Sequence, residues 1–135
     1  MATVTVTNIV RDFKDLDLNF TIHPVRKDIN KNVGEIAIIN SIKNLVLTNH
    51  YEKPFNPNFG SNLRRLLFEN TDGITASLIE REISQVIFNY EPRAKVRRVY
   101  VAPNTEETGF NVELEFFIIN RTEPVTINFF LERIR

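Results

Sequence analysis

The chain has 135 residues, 17 Lys plus Arg against 17 Asp plus Glu, 42% apolar residues and no cysteine. That length is one ordinary domain with room for a real core. The balanced charge gives no global attraction to nucleic acid or an anionic membrane, and the missing thiols exclude a disulfide scaffold, a cysteine nucleophile and thiolate-ligated metals.

"TVTVTNIV" at the start alternates Thr with Val at strand period, either as a strand that needs a partner's edge or as an untied terminus. "MATVTVTNIVRDFKD" lacks the basic region and apolar block of a signal peptide, and no apolar run reaches the roughly 20 residues of a membrane span. The product is therefore expected to begin in the cytoplasm. The mixed, charged stretch up to residue 31 is expected to form an extended N-terminal arm. In the single domain 1–135, this arm precedes a helical part at 32–90 and a sheet at 94–135.

"NVGEIAIINSIKNLVLTNH" offers Asn32 as a helix N-cap with Glu35 three residues on, the reciprocal capping pattern. Ile36, Ile39, Ile42, Leu45 and Val46, widened by Ile38, predict a buried stripe. "YEKPFNPNFGSN" combines turn residues with Phe55 and Phe59, which are expected to pin the loop to the core. A short helix follows with Ser61 as its cap and Leu63, Leu66 and Leu67 inward. The third helix, about 75–90, has Thr75 as candidate cap and Ile79, Ile83, Val86, Ile87 and Tyr90 on one face. Pro92 ends it, because the residue before a proline avoids helical geometry.

Beyond Pro92 the period changes to two. "KVRRVYVA", "GFNVELEFFII" and "EPVTINFFLERI" read as strands, and the turn-rich connections "PNTEETG" and "NRTEP" have hairpin length. Phe110, Val112, Leu114, Phe116 and Ile118 share one face of the middle strand. Val125, Ile127, Phe129 and Leu131 do the same in the last. Three helices followed by a three-stranded antiparallel meander define an α+β fold.

Candidate chemistry is sparse. Catalytic carboxylate pairs set about 5 to 9 Å apart are conceivable at Asp15/Asp17, Glu80/Glu82, Glu106/Glu107 and Glu113/Glu115, yet none has a distinctive neighbourhood. Alternation on the wet face of a strand accounts for the last pair. His23 and His50 lack metal-ligand spacing, and no glycine motif cradles a phosphate, so no metal or cofactor is expected. The doublets Arg64-Arg65 and Arg97-Arg98 lack the aromatic interleaving of a single-strand binder. Glu91, Pro92 and Arg93 are different, because Pro92 holds both charged neighbours in defined directions at a helix-to-strand corner. The pair either closes within the domain, since a partly buried charge needs a partner, or docks onto another protein.

Taken in order, "KPFNPNFGSNLRRLLFEN", "TASLIEREI" and "NYEPR" with the meander behind them resemble the baseplate wedge and sheath-initiator family of contractile-tailed bacteriophages. Its relatives include the homologous baseplate subunit of type VI secretion systems. The resemblance runs from about Phe13 to Arg135 and leaves the first dozen residues atypical. It implies a cofactor-free, non-enzymatic organiser in the virion tail baseplate, assembled in the host cytoplasm. The implied partners are other wedge proteins, sheath subunits and tail tube or hub proteins. Glu91, Pro92 and Arg93 match the family's E-P-R motif, implicated in attachment to the wedge core bundle. Phe55, Pro57 and Gly60 match a "PF-x-P-x-x-G" loop whose role is structural.

The resemblance also implies a sheet like that of sheath subunits, from which the first sheath ring grows. Strand addition at a free sheet edge would supply the mechanism, with Val125, Ile127, Phe129, Phe130 and Leu131 in the sheath-facing strand. Members of this family have also been labelled lysozyme-like, so the alternatives are a peptidoglycan-degrading baseplate enzyme or the equivalent subunit of a type VI secretion or other contractile injection system. Arg93 argues against the enzyme, because a nearby cation lowers a carboxyl pKa, opposite to what a general acid at neutral pH requires.

Overall fold

Three strands run where the period-two pattern predicts them: β3 (Ala94–Asn104), β4 (Gly109–Ile118) and β5 (Pro124–Glu132). They form an antiparallel sheet in the order β3-β4-β5. Phe110, Val112, Leu114, Phe116 and Ile118 are all buried, while Asn111 and Glu113 are exposed and Glu115 is half-buried. The alternation thus separates a packed face from a wetter one. This computed structural model describes residues 13–17, 22, 24–28 and 31–134; the "TVTVTNIV" stretch and His23 lie outside the described residues.

The helices are α1 (Glu35–Leu47), α2 (Leu63–Leu66) and α3 (Gly73–Tyr90). Ile79, Ile83, Val86 and Ile87 of α3 are buried together with Ile38, Ile42, Leu45 and Val46 of α1. Burial of each such side chain stabilises the fold by roughly 2 kcal/mol, well above the contribution of an exposed ion pair. The apolar spacing therefore decides where these helices lie. None of the helices among the described residues is long and apolar enough to cross a membrane.

The helix starts depart from the predicted caps. Lys31–Val33 forms a short strand, β2, whose backbone pairs antiparallel with β1 (Lys14–Leu16). Asn32 therefore sits in a ladder rather than at an N-cap, and α1 begins at Glu35 after Gly34 turns the chain at φ +66°. Ile36 is 60% exposed, outside the predicted stripe. Thr75 lies inside α3; the cap is Asp72, whose carboxylate accepts the Thr75 N–H at 2.8 Å. Bonds from the Thr75 N–H, the Thr75 hydroxyl and the Ile74 N–H hold the exposed Asp72 carboxyl below its ordinary range. A cap three residues before Thr75 satisfies an otherwise orphaned helix N–H.

Two compact units divide the chain, residues 1–37 and 38–135. In the first, β1 and β2 form a two-stranded sheet, so β1 of the arm pairs with the segment at the arm's end. The second holds the meander and most of the helical residues.

The connection from α1 to α2 is held by backbone bonds. Ser61 N–H donates to the Thr48 carbonyl at 2.8 Å and Tyr51 N–H to the Pro57 carbonyl at 2.8 Å. Ser61 is not the α2 cap residue, which is Asn62; its buried hydroxyl donates to the Val46 carbonyl at 2.7 Å and so ties the loop back to α1. Gly60 has φ +106°, and a Cβ there would stand 2.5 Å from the Thr48 carbonyl oxygen. Gly60→Ala should therefore destabilise the protein by about 2 kcal/mol or more. A urea midpoint equal to wild type would contradict that account of the loop.

Candidate functional site

Glu91 is the C-cap of α3, donating its N–H to the Ile87 carbonyl at 2.9 Å. Its φ of −122° and ψ of 80° leave the helical region, as a following proline requires. The chain then turns through exposed Pro92 into β3, with Ala94 N–H donating to the Glu91 carbonyl at 3.2 Å. One short segment thus ends a helix, turns and starts a strand.

The turn folds Arg93 back onto Glu91. Arg93 Nε donates to Glu91 Oε1 at 2.6 Å and Arg93 Nη2 to Glu91 Oε2 at 3.0 Å. This two-point fork is the strong form of a charged hydrogen bond. Ser41, on α1, donates its hydroxyl to Glu91 Oε2 at 2.5 Å. The Glu91 residue is only 3% exposed. Of the two sequence-based readings, closure within the domain is therefore what the geometry shows for Glu91. Burial pushes the Glu91 carboxyl up, but the Arg93 and Ser41 hydrogen bonds and the guanidinium charge outweigh it and hold the carboxyl below its ordinary range.

Sequence periodicity did not single out Ser41, though a signal was present: a hydroxyl beside Ile42 on a helix whose neighbouring apolar side chains are buried needs a polar partner. Glu80 and Glu82, which the sequence offers only as a conceivable carboxylate pair, have structural roles. Glu80 Oε1 accepts Val101 N–H at 2.9 Å and Glu82 Oε1 accepts Asn62 N–H at 2.8 Å. Glu115 pairs with Arg97 at 2.7 Å.

Beside the corner, a groove of about 740 Å³ is bordered by Phe88, Pro92, Lys95, Val96 and Ile119. Phe88 is 84% exposed. An exposed aromatic next to a fixed charged corner is the kind of residue that protein interfaces use as an anchor.

The two outer edges of the meander differ. Arg133 N–H donates to the Thr108 carbonyl at 2.9 Å, and the register pairs Gly109 with Glu132. Counting back by the two-residue alternation of an antiparallel ladder, Val125, Ile127, Phe129 and Leu131 exchange bonds with β4. Thr126, Asn128, Phe130 and Glu132 turn their N–H and C=O groups to the open side. Among the described residues no strand pairs there. On β3 the same counting turns Val101 and Pro103 outward; Glu80 already holds the Val101 N–H, proline offers none, and a register shift lies between Val96 and Arg98. These features blunt an edge.

The predicted strand residues therefore divide by role. Ile127 and Leu131 are buried and Val125 and Phe129 half-buried on the packed face, whereas Phe130 is exposed on the other. The loop residues also separate. Gly60 is a required backbone position and the Pro57 carbonyl closes the turn, but Phe55 is fully exposed at φ +63°, so it does not pin the loop. Phe59 is the anchor, edge-on to Tyr90 at 5.2 Å, and the Tyr90 hydroxyl donates to the Asn58 carbonyl at 2.5 Å.

An α+β fold with this helix–corner–meander order is shared with contractile injection machines. In a baseplate of the anti-feeding prophage, one chain matches with a TM-score of 0.72 at 20% identity, over 82% of this chain and 88% of that one. A chain of the post-contraction pyocin R2 baseplate matches with a TM-score of 0.55 at 17% identity, over 88% and 99%. A structure described as a candidate tail lysozyme from Geobacter sulfurreducens matches with a TM-score of 0.60 at 24% identity, over 70% and 88%. At these identities the likeness concerns the fold.

The family follows from sequence. The profile of the baseplate wedge protein gp25 family matches residues 32–121, and the chain belongs to that family. It is 32% identical over 120 residues to baseplate wedge protein gp25 of Enterobacteria phage T4, covering 89% of this chain and 90% of that protein.

The Glu91 carboxylate makes a pH-dependent contribution to stability. Because folding lowers its pKa, the contribution is full above the ordinary glutamate value of about 4.3 and is lost as pH falls through the lower folded value. Glu91→Gln should therefore cost about 2 kcal/mol at pH 7, with the gap to wild type constant down to about pH 5 and narrowing below about pH 4. Chemical denaturation across that range measures it. A gap that widens on acidification would show that the carboxylate is not stabilised by the fold.

Proposed function

We propose that the protein is a structural, non-enzymatic subunit of a contractile-tail baseplate wedge. It attaches to the wedge core bundle at the Glu91-Pro92-Arg93 corner and starts the sheath by accepting a strand at the outer edge of β5. Other wedge proteins, sheath subunits and tail tube or hub proteins are its partners, and the virion tail baseplate, built in the host cytoplasm, is its place. The carrying observation is the asymmetry of the sheet: β3 is blunted by Glu80, Pro103 and a bulge, while β5 turns a row of backbone groups to its open side.

In the attachment step Glu91 acts from within. Held by Arg93 and Ser41, it fixes the corner, and Phe88, Pro92 and Ile119 beside it provide apolar contact area. In the sheath step, backbone bonds at Thr126, Asn128 and Phe130 supply affinity, and the alternating side chains supply register. Val125, Ile127, Phe129 and Leu131 contribute by holding β5 to the packed face.

The lysozyme alternative, which the Geobacter likeness keeps in view, requires a carboxyl kept protonated near neutral pH. Glu91, with two Arg93 bonds, is shifted the other way. Purified protein is expected to leave peptidoglycan intact; solubilisation that disappears on replacing one Asp or Glu would establish the enzyme instead.

Two variants separate the two surfaces. Phe88→Glu, at an exposed site, should keep the wild-type melting temperature while its incorporation into baseplates falls at least tenfold. Asn128→Pro removes an outward N–H and spares the β4 ladder, so baseplates should incorporate it and carry tube without sheath. Electron microscopy of normally sheathed tails with Asn128→Pro would overturn the β5 assignment, and undiminished incorporation of Phe88→Glu would overturn the corner assignment.

A further inference from the structure

A second surface lies away from the corner and the β5 edge, and the proposed function does not use it. The α1–α2 connection and α2 enclose a cleft of about 580 Å³ whose wall includes His50, Tyr51, Arg64, Arg65 and Phe68. Tyr51 is 83% and Phe68 52% exposed. Neither Arg64 nor Arg65 has an ion-pair partner among the described residues, and no carboxylate belongs to the cleft wall. Two acids close in sequence or by hydrogen bond to the lining residues accept backbone N–H groups: Glu52 accepts Asn49 N–H at 2.8 Å and Glu82 accepts Asn62 N–H at 2.8 Å; Glu69, which follows Phe68, is exposed and outside the wall. Within a chain of zero formal charge, this cleft is a local concentration of cations.

The cleft has a fixed wall. The Asn49–Ser61 bridge, the His50 N–H bond to the Ser61 carbonyl at 3.2 Å and the buried Ser61 hydroxyl bond to Val46 hold it. Tyr51 keeps a φ of +67°, a conformation that costs a bulky residue energy and persists only where surroundings impose it. The buried Nδ1 of His50 has no hydrogen-bond partner among the described residues. A held loop backbone with two exposed aromatics and two guanidinium groups that have no ion-pair partner among the described residues has the residue types that dominate interface energetics, and little loop ordering remains to oppose binding.

We propose that this cleft receives an acidic segment of another baseplate polypeptide, with carboxylates on Arg64 and Arg65 and an apolar side chain between Tyr51 and Phe68. Charge complementarity selects the occupant. A second copy of this chain would bring a balanced surface, whereas an acidic segment pairs both guanidinium groups, each able to grip a carboxylate at two points.

The test uses assembled particles. A photo-crosslinking amino acid at position 68 is introduced into the full chain, baseplates are purified and irradiated, and cross-linked peptides are identified by mass spectrometry. A second arm assembles baseplates with Arg64→Glu plus Arg65→Glu, after circular dichroism and melting show an unchanged fold. The expected results are a cross-link to a segment of a different baseplate protein with an excess of Asp and Glu, and at least a tenfold loss of that cross-link in the charge-reversed chain. Capture of a second copy, of nucleic acid, or of a neutral or basic segment would overturn the proposal, as would no cross-link or one indifferent to charge reversal. Phe88→Glu should leave the cross-link in whatever particles still incorporate the chain, which distinguishes this surface from the corner.

Discussion

One buried carboxylate connects three parts of the larger unit. Glu91 ends α3, receives the Ser41 hydroxyl of α1 and holds Arg93 at the entrance to β3. A charge this far from solvent is tolerated only when its bonds replace those of water. The fork from Arg93 and the bond from Ser41 do so, and the lowered carboxyl pKa is the electrostatic expression of that replacement. Apolar burial supplies much more energy, but it is non-directional. The carboxylate adds direction by fixing how the helices hand over to the sheet.

The same division between energy and direction recurs elsewhere. Ile79, Ile83, Val86 and Ile87 are buried on α3, which packs along β3, but Glu80 orients the contact by taking the outward Val101 N–H. Its bond also occupies part of an edge that could otherwise pair with another chain. Ser61 acts similarly in the loop, where its hydroxyl on Val46 fixes a backbone that Gly60 alone can turn. The Glu80 bond thereby helps leave the two edges of the sheet unequal.

Much of this was legible in the sequence. Alternation in "GFNVELEFFII" placed all five inward residues of β4, and the turn chemistry gave the meander its order. E-P-R marked the corner, though not Ser41, which completes it. Ser41 was hidden because its bond to Glu91 spans 50 residues, and local periodicity carries no information at that range. Caps were misplaced for a related reason. Asn32 and Thr75 both fit local patterns, but cross-strand pairing claimed the backbone at Asn32, and Asp72 supplied an earlier oxygen for Thr75. Local preference decides only where no distant partner competes.

Phe55 and Phe59 illustrate the limit of composition most clearly. Both are phenylalanines in the same turn-rich loop, yet Phe59 packs on Tyr90 while Phe55 points into solvent. The difference lies in the backbone: Phe55 adopts φ +63° inside the loop that the Tyr51 N–H bond to the Pro57 carbonyl closes. Hydrophobicity alone would send both rings inward. With the backbone bonds of the loop satisfied, only Phe59 gains a ring partner, so the exposed Phe55 reflects backbone hydrogen bonding taking precedence over burial of a single side chain.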